Sequence, residues 1–306
     1  MTPKHPVLAV VIAALFTVSL AGAPQARYDY YLTGNPADVA AATTSGLGLM
    51  GGGTDVDALF TWMSDRAGGG DFVVIRASGA DGYNQYVYDL GDFDSVETLV
   101  LSNRAASSDP VVLQTIRHAD ALFIAGGDQS NYVNYWKGTP VEDAIHELAA
   151  RDVPIGGTSA GTAILSEFVY AAQRASAVIT DQHLIERDRL GRTLAFMARI
   201  VTDGWAAESK SIAIDRETAV LVDAAGRATV VANASHPTPY AYFIRGGTPE
   251  ICQPRVPLTY RNLSVYRVQP GSRFDVPSWH GVGGTAYTLT VEAGAISSTQ
   301  PGGSIY

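Results

Sequence analysis

The segment Val153–Leu165, "VPIGGTSAGTAIL", decides the fold because it places a glycine-rich turn between a short apolar run and an apolar helix. Within it, Ser159 is flanked by Gly157 and Gly161 in the pattern Gly-x-Ser-x-Gly. A strand–turn–helix of this kind holds a serine hydroxyl above the end of a sheet in a strained backbone conformation. The pattern predicts a nucleophile, but glycine and serine also occur in turns that carry no chemistry, so both interpretations stay open at this point.

Alternating apolar strands and helices surround this segment. The runs "GLGLM", "DFVVIRAS", "SVETLVLSN", "ALFIA" and "VPIGG" are typical of buried strands, and amphipathic helices such as "TPVEDAIHELAARD" lie between them. This alternation predicts an α/β fold with a mostly parallel sheet covered on both faces. Ligands of such sheets bind at the carboxyl ends of the strands. Glycine turns follow "GLGLM", "ALFIA" and "VPI", so we expect a single site at that edge.

The pattern becomes β-rich from about residue 205. "KSIAIDRETAVLVDAAGRATVVA" predicts two strands joined by a hairpin at "AAGR". Further strand patterns follow to the end of the chain, without an internal repeat or a low-complexity linker. We expect these strands to extend the same sheet, so that residues 27–306 form a single α/β domain with a β-rich C-terminal extension.

The first residues have the pattern of an export signal. Lys4 and His5 precede the apolar run "VLAVVIAALFTVSLAGA", which ends in small residues. This pattern predicts a signal peptide over residues 1–26, cleaved near Ala23 or Ala26, and a secreted or periplasmic protein. An uncleaved membrane anchor is the alternative, because the run is just long enough to span a bilayer.

Charge and cysteine content exclude several classes of protein. The formal net charge of -9 over 306 residues argues against nucleic acid and against anionic membrane surfaces as partners. Cys252 is the single cysteine, which rules out an intramolecular disulfide and a thiolate metal cluster. No zinc-type spacing occurs, and "GLGLMGGG" lacks the Gly-x-Gly-x-x-Gly spacing of dinucleotide sites. We therefore expect no metal and no organic cofactor.

A nucleophilic serine needs a base, and His183 is the best placed of the six histidines. It follows the short strand "SAVIT", whose end is expected at the same edge of the sheet. His183 comes only 24 residues after Ser159. In α/β-hydrolases the acid lies between the serine and a much later histidine. The short spacing therefore argues against that family.

Four segments together carry a resemblance to a known family. In this order along the chain, "FIAGGDQ", "GGTSAGT", "DQHLIERDRLGR" and "IAIDRET" resemble cyanophycinases and their relatives in the dipeptidase E family of serine peptidases. The resemblance covers roughly residues 46–231. It implies a three-layer flavodoxin-like sandwich of the class I glutamine amidotransferase type. It also implies peptide hydrolysis next to aspartate, as in the release of β-Asp-Arg dipeptides from cyanophycin, and leaves a homodimer open.

The resemblance assigns roles residue by residue. Ser159 matches the nucleophile and His183 the base, while the backbone N–H groups of Gly127 and Ala160 are expected to bind the oxyanion. The residues matched to substrate binding are Gln129, Asp181, Gln182, Arg187, Arg189 and Arg192. Guanidinium groups suit an aspartate-based substrate because they bind carboxylates bidentately. The alternative for the arginines is a solvated helix face.

The acid of the triad is the least determined residue. The family has a glutamate in a stretch like "GIDExT", where this chain has Arg216 within "AIDRET". Glu217 is our first candidate, Asp215 the second and Glu167 the third. The segment between Ser159 and His183 is also shorter than the resemblance implies. These two departures leave open an exported serine peptidase for cyanophycin, a peptidase for other aspartyl or β-aspartyl peptides, and a catalytically impaired binding protein.

Overall fold

Two β-sheets form the framework of the protein. The computed structural model describes residues 28–166 and 177–306. The predicted signal segment, residues 1–26, and the acid candidate Glu167 lie outside the described residues. Within the two described ranges, no helix combines the length and the apolarity needed to cross a bilayer.

The described ranges contain sixteen strands and seven α-helices. The strands are β1 Tyr28–Gly34, β2 Gly46–Met50, β3 Asp71–Arg76, β4 Ser95–Leu101, β5 Ala121–Ile124, β6 Ile155–Thr158, β7 Ala177–Gln182, β8 Ser209–Ile214, β9 Thr218–Asp223, β10 Arg227–Ala232, β11 Ala241–Gly246, β12 Tyr260–Val268, β13 Arg273–Asp275, β14 His280–Val282, β15 Thr285–Glu292 and β16 Ala295–Ser298. The helices are α1 Asp57–Ala67, α2 Asn84–Leu90, α3 Pro110–His118, α4 Gln129–Trp136, α5 Pro140–Ala150, α6 Ala160–Ile164 and α7 Leu190–Thr202. Short 3₁₀ turns cover Arg104–Ser108 and Pro301–Gly303.

The first sheet has ten strands in the order β1-β4-β3-β5-β6-β2-β9-β10-β13-β14. Its central strands β4, β3, β5, β6 and β2 pair in parallel. The glycine turns after β5, β6 and β2 therefore lie side by side at one edge, because these three strands are neighbours that run in the same direction. The predicted convergence of the three glycine-rich strand ends is confirmed.

Side chains of the parallel strands alternate between two cores. Val73 and Ile75 of β3 contact the core formed with α3, α4 and α5. Phe72 and Val74 of the same strand lie in the core formed with α1 and α2. Since successive strand residues point to opposite faces, the helices cover both faces of the parallel block. This is why the central residues of β3 are apolar on both faces.

The second sheet has six strands in the order β16-β15-β12-β11-β8-β7. One face packs on the antiparallel half of the first sheet through a core that includes Ile212 and Phe243. The other face is covered by α7, whose Leu194 and Met197 lie in a core with Ala213 of β8. The second sheet therefore sits between the first sheet and α7, and it carries β7 to the edge where β6 ends.

The structure corrects two features of the predicted sheet. The α/β class is confirmed, but the first sheet is mixed rather than mostly parallel, since β1 and the strands from β9 onward pair antiparallel. The short turn between β9 and β10 can only join antiparallel strands, whereas a parallel pair needs a long crossover.

The β-rich part also does not simply extend the first sheet. "KSIAIDRETAVLVDAAGRATVVA" forms three strands instead of two, because the chain turns at Asp215–Glu217 and passes from β8 in the second sheet to β9 in the first.

Candidate active site

Ser159 occupies the sharp turn between β6 and α6. Its backbone has φ 50° and ψ -115°, a conformation that L-residues adopt only under strain. Two backbone hydrogen bonds hold the turn: Ser159 N–H donates to the carbonyl of Met50 at 3.2 Å, and Ala163 N–H donates to the carbonyl of Ser159 at 3.0 Å. The turn thereby presents the Ser159 hydroxyl at the carboxyl end of the parallel strands, as the Gly-x-Ser-x-Gly pattern predicts.

The two glycines of the pattern are required by close backbone contacts. A Cβ atom at Gly161 would lie 1.9 Å from the carbonyl oxygen of Ile124, and one at Gly157 would lie 2.8 Å from the carbonyl carbon of Gly161. Thr162 adds a side-chain contact, with its Oγ1 2.6 Å from the carbonyl oxygen of Gly157. Helix α6 can therefore start this close to β5 and β6 only with glycine at both positions.

His183 comes from the end of β7 in the second sheet and meets Ser159 across the boundary between the sheets. The Ser159 Oγ and His183 Nε2 atoms are 3.1 Å apart. His183 also has a positive φ of 53°, and its N–H donates to the carbonyl of Gly51 at 2.9 Å. A Cβ at Gly52 would lie 2.2 Å from Nε2. The glycine turn after β2 thus leaves the space that the imidazole ring occupies.

Glu186 is the carboxylate that contacts the far side of this imidazole. Its Oε2 atom is 2.5 Å from His183 Nδ1. Burial lowers the pKa of His183, and the hydrogen bond with Glu186 opposes that shift. The same hydrogen bond lowers the pKa of the Glu186 carboxyl group, so Glu186 is ionised at neutral pH. Ser159, His183 and Glu186 therefore form a chain of hydrogen bonds with the arrangement of a serine–histidine–acid triad.

The sequence prediction for the acid partner was wrong. Glu217 lies beside the turn but pairs with Arg216, with 3.2 Å between its Oε1 and the Arg216 Nη1. Its backbone N–H donates to the carbonyl of Gly52 at 2.7 Å, so its contact with the glycine turn is a supporting one. The signal for Glu186 was the short "HLIE" spacing after a strand end. The resemblance places the acid in the later motif "AIDRET" instead.

Asp215 supports the turn that carries Glu186. It is 2% exposed, and its Oδ1 accepts hydrogen bonds from the backbone N–H groups of Ile185 at 3.2 Å and Glu186 at 3.4 Å. Its Oδ2 contacts His236 Nε2 at 3.0 Å and accepts from the Thr238 hydroxyl at 3.1 Å. Asp215, the second acid candidate, therefore does not contact the His183 ring and instead fixes the backbone on which the ring and Glu186 are held.

A cleft of about 420 Å³ opens in front of Ser159. It is lined by most of the residues that the sequence predicted for oxyanion and substrate binding, namely Gly127, Gln129, Ser159, Ala160, Gln182, Arg187, Arg189 and Arg192. The Tyr132 hydroxyl holds the glycine turn after β5 by contacting the carbonyls of Ala125 at 2.8 Å and Gly126 at 2.9 Å. Both predicted oxyanion positions, Gly127 and Ala160, thus border the cleft next to the serine.

Asp181 has a different place from the one predicted. It is buried and does not line the cleft in front of Ser159. Its carboxylate pairs with Arg192 and accepts a hydrogen bond from the Thr193 hydroxyl at 2.6 Å. It also accepts from the backbone N–H of Gln182 at 2.9 Å. Asp181 therefore orients a cleft arginine instead of facing a ligand there.

The cleft carries a surplus of positive charge. Arg189 donates to the carbonyl of Gln182 at 2.8 Å and lies 4.0 Å from Asp181, the same carboxylate that holds Arg192. Arg187 is exposed and forms no ion pair with any described residue. Burial lowers the pKa of Arg189, with the nearby Arg192 adding to the effect, yet a guanidinium stays charged at neutral pH. Three guanidinium groups face two carboxylates, the buried Asp181 and Asp128 in the cleft lining, and the remaining positive charge favours an anionic ligand.

No group of three or more histidine, cysteine or acidic side chains in residues 28–166 and 177–306 is arranged to hold a metal ion.

The chain is similar to a known peptidase family and to cyanophycinases. The model of Peptidase family S51 matches residues 77–190, a range that includes both Ser159 and His183. A cyanophycinase from Synechococcus elongatus is 25% identical over 204 residues, which are 58% of this chain and 61% of the relative. A cyanophycinase from Trichormus variabilis is 24% identical over 208 residues, which are 59% and 65% of the two chains. The chain thus spans about three fifths of the length of these curated relatives.

Two solved structures are similar to the chain at low identity. A peptidase from an acI-B1 Actinobacterium has a TM-score of 0.49 at 14% identity and covers 76% of this chain and 98% of its own. A putative peptidase E protein from Listeria monocytogenes EGD-e has a TM-score of 0.40 at 16% identity and covers 62% and 99% of the two chains.

Proposed function

We propose that the chain is a cyanophycinase-like member of peptidase family S51 and that it acts as a serine-type peptidase for aspartyl or β-aspartyl peptides. The observation that carries the proposal is the alignment of Ser159, His183 and Glu186, with 3.1 Å and 2.5 Å between successive partners. The arrangement also answers the main argument for a catalytically impaired binding protein. That argument rested on the missing acid at Arg216, and Glu186 supplies an acid from another position.

In the first half of the reaction Ser159 Oγ attacks the carbonyl carbon of the scissile amide while its proton moves to His183 Nε2. The oxyanion that forms accepts hydrogen bonds from the N–H groups of Ala160 and Gly127. His183 then gives its proton to the leaving amine, the C–N bond breaks, and the acyl group stays on Ser159. Glu186 stabilises the imidazolium that exists between the two proton transfers.

In the second half a water molecule attacks the acyl-enzyme. His183 takes one proton of the water and returns it to Ser159 Oγ as the C–O bond of the ester breaks. The products are the regenerated serine and a carboxylic acid, which releases its remaining proton to solvent and becomes a carboxylate.

The charge of the cleft supports an aspartyl residue at the scissile bond. Arg187, Arg189 and Arg192 converge on the space in front of Ser159 and can bind a substrate carboxylate. Cyanophycin, with its poly-aspartate backbone, is the first such polymer to test, because the matched relatives are cyanophycinases. Aspartyl dipeptides are the second class.

The proposal includes two further points. The order β4-β3-β5-β6 follows the 2-1-3-4 order of flavodoxin-like sheets, with β2 in the fifth place, which supports the three-layer sandwich that the resemblance implies. Export by residues 1–26, to the periplasm or the medium, stays a hypothesis that N-terminal sequencing of the mature protein tests.

The experiment is covalent labelling combined with hydrolysis. A fluorophosphonate probe is expected to label the wild-type protein and not the Ser159→Ala variant, and hydrolysis of the best aspartyl peptide is expected to fall by at least about 10⁴-fold in that variant. Ser278→Ala changes an exposed serine far from the cleft and serves as the matched control, with full labelling. Equal labelling of wild type and Ser159→Ala contradicts the proposal, as does the absence of any hydrolysis.

A further inference from the structure

A second cavity adjoins the cleft in front of Ser159. Its volume is about 480 Å³, and it shares Gln129, Gln182 and Arg192 with the cleft. A substrate bound at Ser159 therefore has only this shared wall between its scissile bond and the second cavity. In a bound peptide, the side chain of a residue next to the scissile bond is long enough to pass this wall and enter the second cavity.

The lining of the second cavity is largely apolar. Ile179 and Ile200 are buried at its base, while Phe196 of α7 and Trp205 border it with 54% of each side chain exposed. Large exposed apolar groups that border a concave site are typical of ligand-binding surfaces. The aromatic rings provide a large apolar surface against which an apolar group of a ligand can pack.

The charged groups of the cavity are already paired with each other. The Asp181 carboxylate is held by Arg192, the Thr193 hydroxyl and the N–H of Gln182. Asp203 pairs with Arg199 at the rim. A substrate guanidinium placed here would meet two arginines and no unpaired carboxylate among the lining residues, so an arginine side chain fits poorly.

Gln182 forms the partition between the two spaces. It is 4% exposed, and its side-chain amide nitrogen has no hydrogen-bond partner within the described residues. A buried donor without an acceptor costs free energy, which a nearby acceptor recovers. A peptide chain crossing the partition brings backbone carbonyl oxygens to this position.

From these contacts we propose that the second cavity binds the large apolar or aromatic side chain of the residue joined to the aspartyl residue. The inference rests on the proposed peptidase function and narrows its substrate class. Aspartyl peptides with leucine or phenylalanine at that position become the preferred substrates, ahead of those with arginine.

The direct test is a set of α- and β-linked dipeptides: Asp-Ala, Asp-Leu, Asp-Phe and Asp-Arg. In the linkage that the enzyme accepts, kcat/KM for Asp-Leu or Asp-Phe is expected to exceed that for both Asp-Ala and Asp-Arg by roughly 10- to 100-fold. A protein that is labelled at Ser159 but prefers Asp-Arg, or hydrolyses none of the dipeptides, overturns the inference and leaves the nucleophile standing. A protein with neither labelling nor hydrolysis overturns this inference and the proposed function together.

Truncation of the aromatic wall gives a second, independent readout. The double variant Phe196→Ala and Trp205→Ala is expected to lower the ratio of kcat/KM between Asp-Phe and Asp-Ala by about tenfold, mainly through KM. Val282→Ala truncates a side chain that is 66% exposed in β14 and is the matched control, with an unchanged ratio. Equal losses on Asp-Phe and Asp-Ala in the double variant would mean a structural role only and overturn the inference.

Discussion

The turn that carries Ser159 and the turn that carries His183 reach the same site by different means. The Ser159 turn is shaped by its own glycines and by the strand ends next to it, with Gly161 pressed against the carbonyl of Ile124. The His183 turn contains no glycine, although it has local backbone hydrogen bonds from Arg187 N–H to the carbonyl of His183 at 3.1 Å and from Arg189 N–H to that of Leu184 at 2.8 Å. Its shape depends on two buried carboxylates, Asp181 and Asp215, that accept hydrogen bonds from it.

The two turns also belong to different sheets. β6 of the first sheet ends at Ser159, and β7 of the second sheet ends at His183. The distance between nucleophile and base is therefore set by how the sheets pack, through the core that includes Ile212 and Phe243. The conformation of the nucleophile turn is set within a short segment, whereas the positions of the base and its acid are set by the packing of the two sheets.

Glu186→Gln should have the largest effect on activity. It removes the charge that stabilises the His183 imidazolium and is expected to lower kcat/KM by roughly 10³- to 10⁴-fold. Glu217→Gln is the matched control, because Glu217 pairs with Arg216 and not with His183, and it should stay within about twofold of wild type. Steady-state kinetics on one aspartyl peptide compares the two, and a larger loss in Glu217→Gln would restore the acid inferred from the sequence.

Gly161→Ala tests the local constraint on the nucleophile turn. The new Cβ would lie 1.9 Å from the carbonyl oxygen of Ile124, so the helix start has to shift. We expect a loss of about 3 kcal/mol in the free energy of unfolding, measured by urea denaturation. Gly82→Ala has open space around the added methyl group and should change little. Equal stability of the two variants would show that the turn relaxes freely.

Asp215→Asn tests the long-range support of the other turn. It keeps the shape of the side chain but weakens the hydrogen bonds to the N–H groups of Ile185 and Glu186, with an expected loss of about 1.5–3 kcal/mol in unfolding free energy. The kcat should fall while probe binding at Ser159 persists. The control is Asp275→Asn, an exposed carboxylate that accepts from Ser278 N–H, where a smaller loss is expected. If the variant is as stable as the wild type and has a normal kcat, Asp215 does not hold the triad in position.

The smallest expected effect is a shift in the pH profile. Burial lowers the pKa of His183, with Arg187 contributing in the same direction, and the neutral imidazole is the active base. The acidic limb of kcat/KM should therefore lie below the ordinary histidine pKa of about 6.5. Arg187→Gln removes one cause of the lowering, so the limb should move to higher pH by less than about one unit. The control Arg255→Gln changes an arginine outside the cleft and should leave the acidic limb in place. A shift of the limb to lower pH in Arg187→Gln would contradict the lowering of the His183 pKa by Arg187.

The sequence by itself determined the α/β class, the strands β2 to β6 and the nucleophile turn. These follow from short-range rules: apolar runs bounded by glycine form buried strands, and Gly-x-Ser-x-Gly between strand and helix forms one particular turn. The converging strand ends also followed, because parallel neighbours end at the same edge. Gly127 could be placed at the site for that reason, whereas Gln129 and the three arginines were placed there by the resemblance.

Only the tertiary structure decided which carboxylate serves the histidine. The segments that carry the site contain three candidate carboxylates, namely Glu186, Asp215 and Glu217. Their roles depend on the positive φ of His183 and Glu217 and on the passage of the chain from one sheet to the other. Such a passage is set by long-range packing of β8 and β9 on different neighbours, which no local pattern encodes. The physical reason is that a hydrogen bond forms only within a few tenths of an ångström of the best donor–acceptor distance. The packing of the two sheets sets the distances between side chains with that precision.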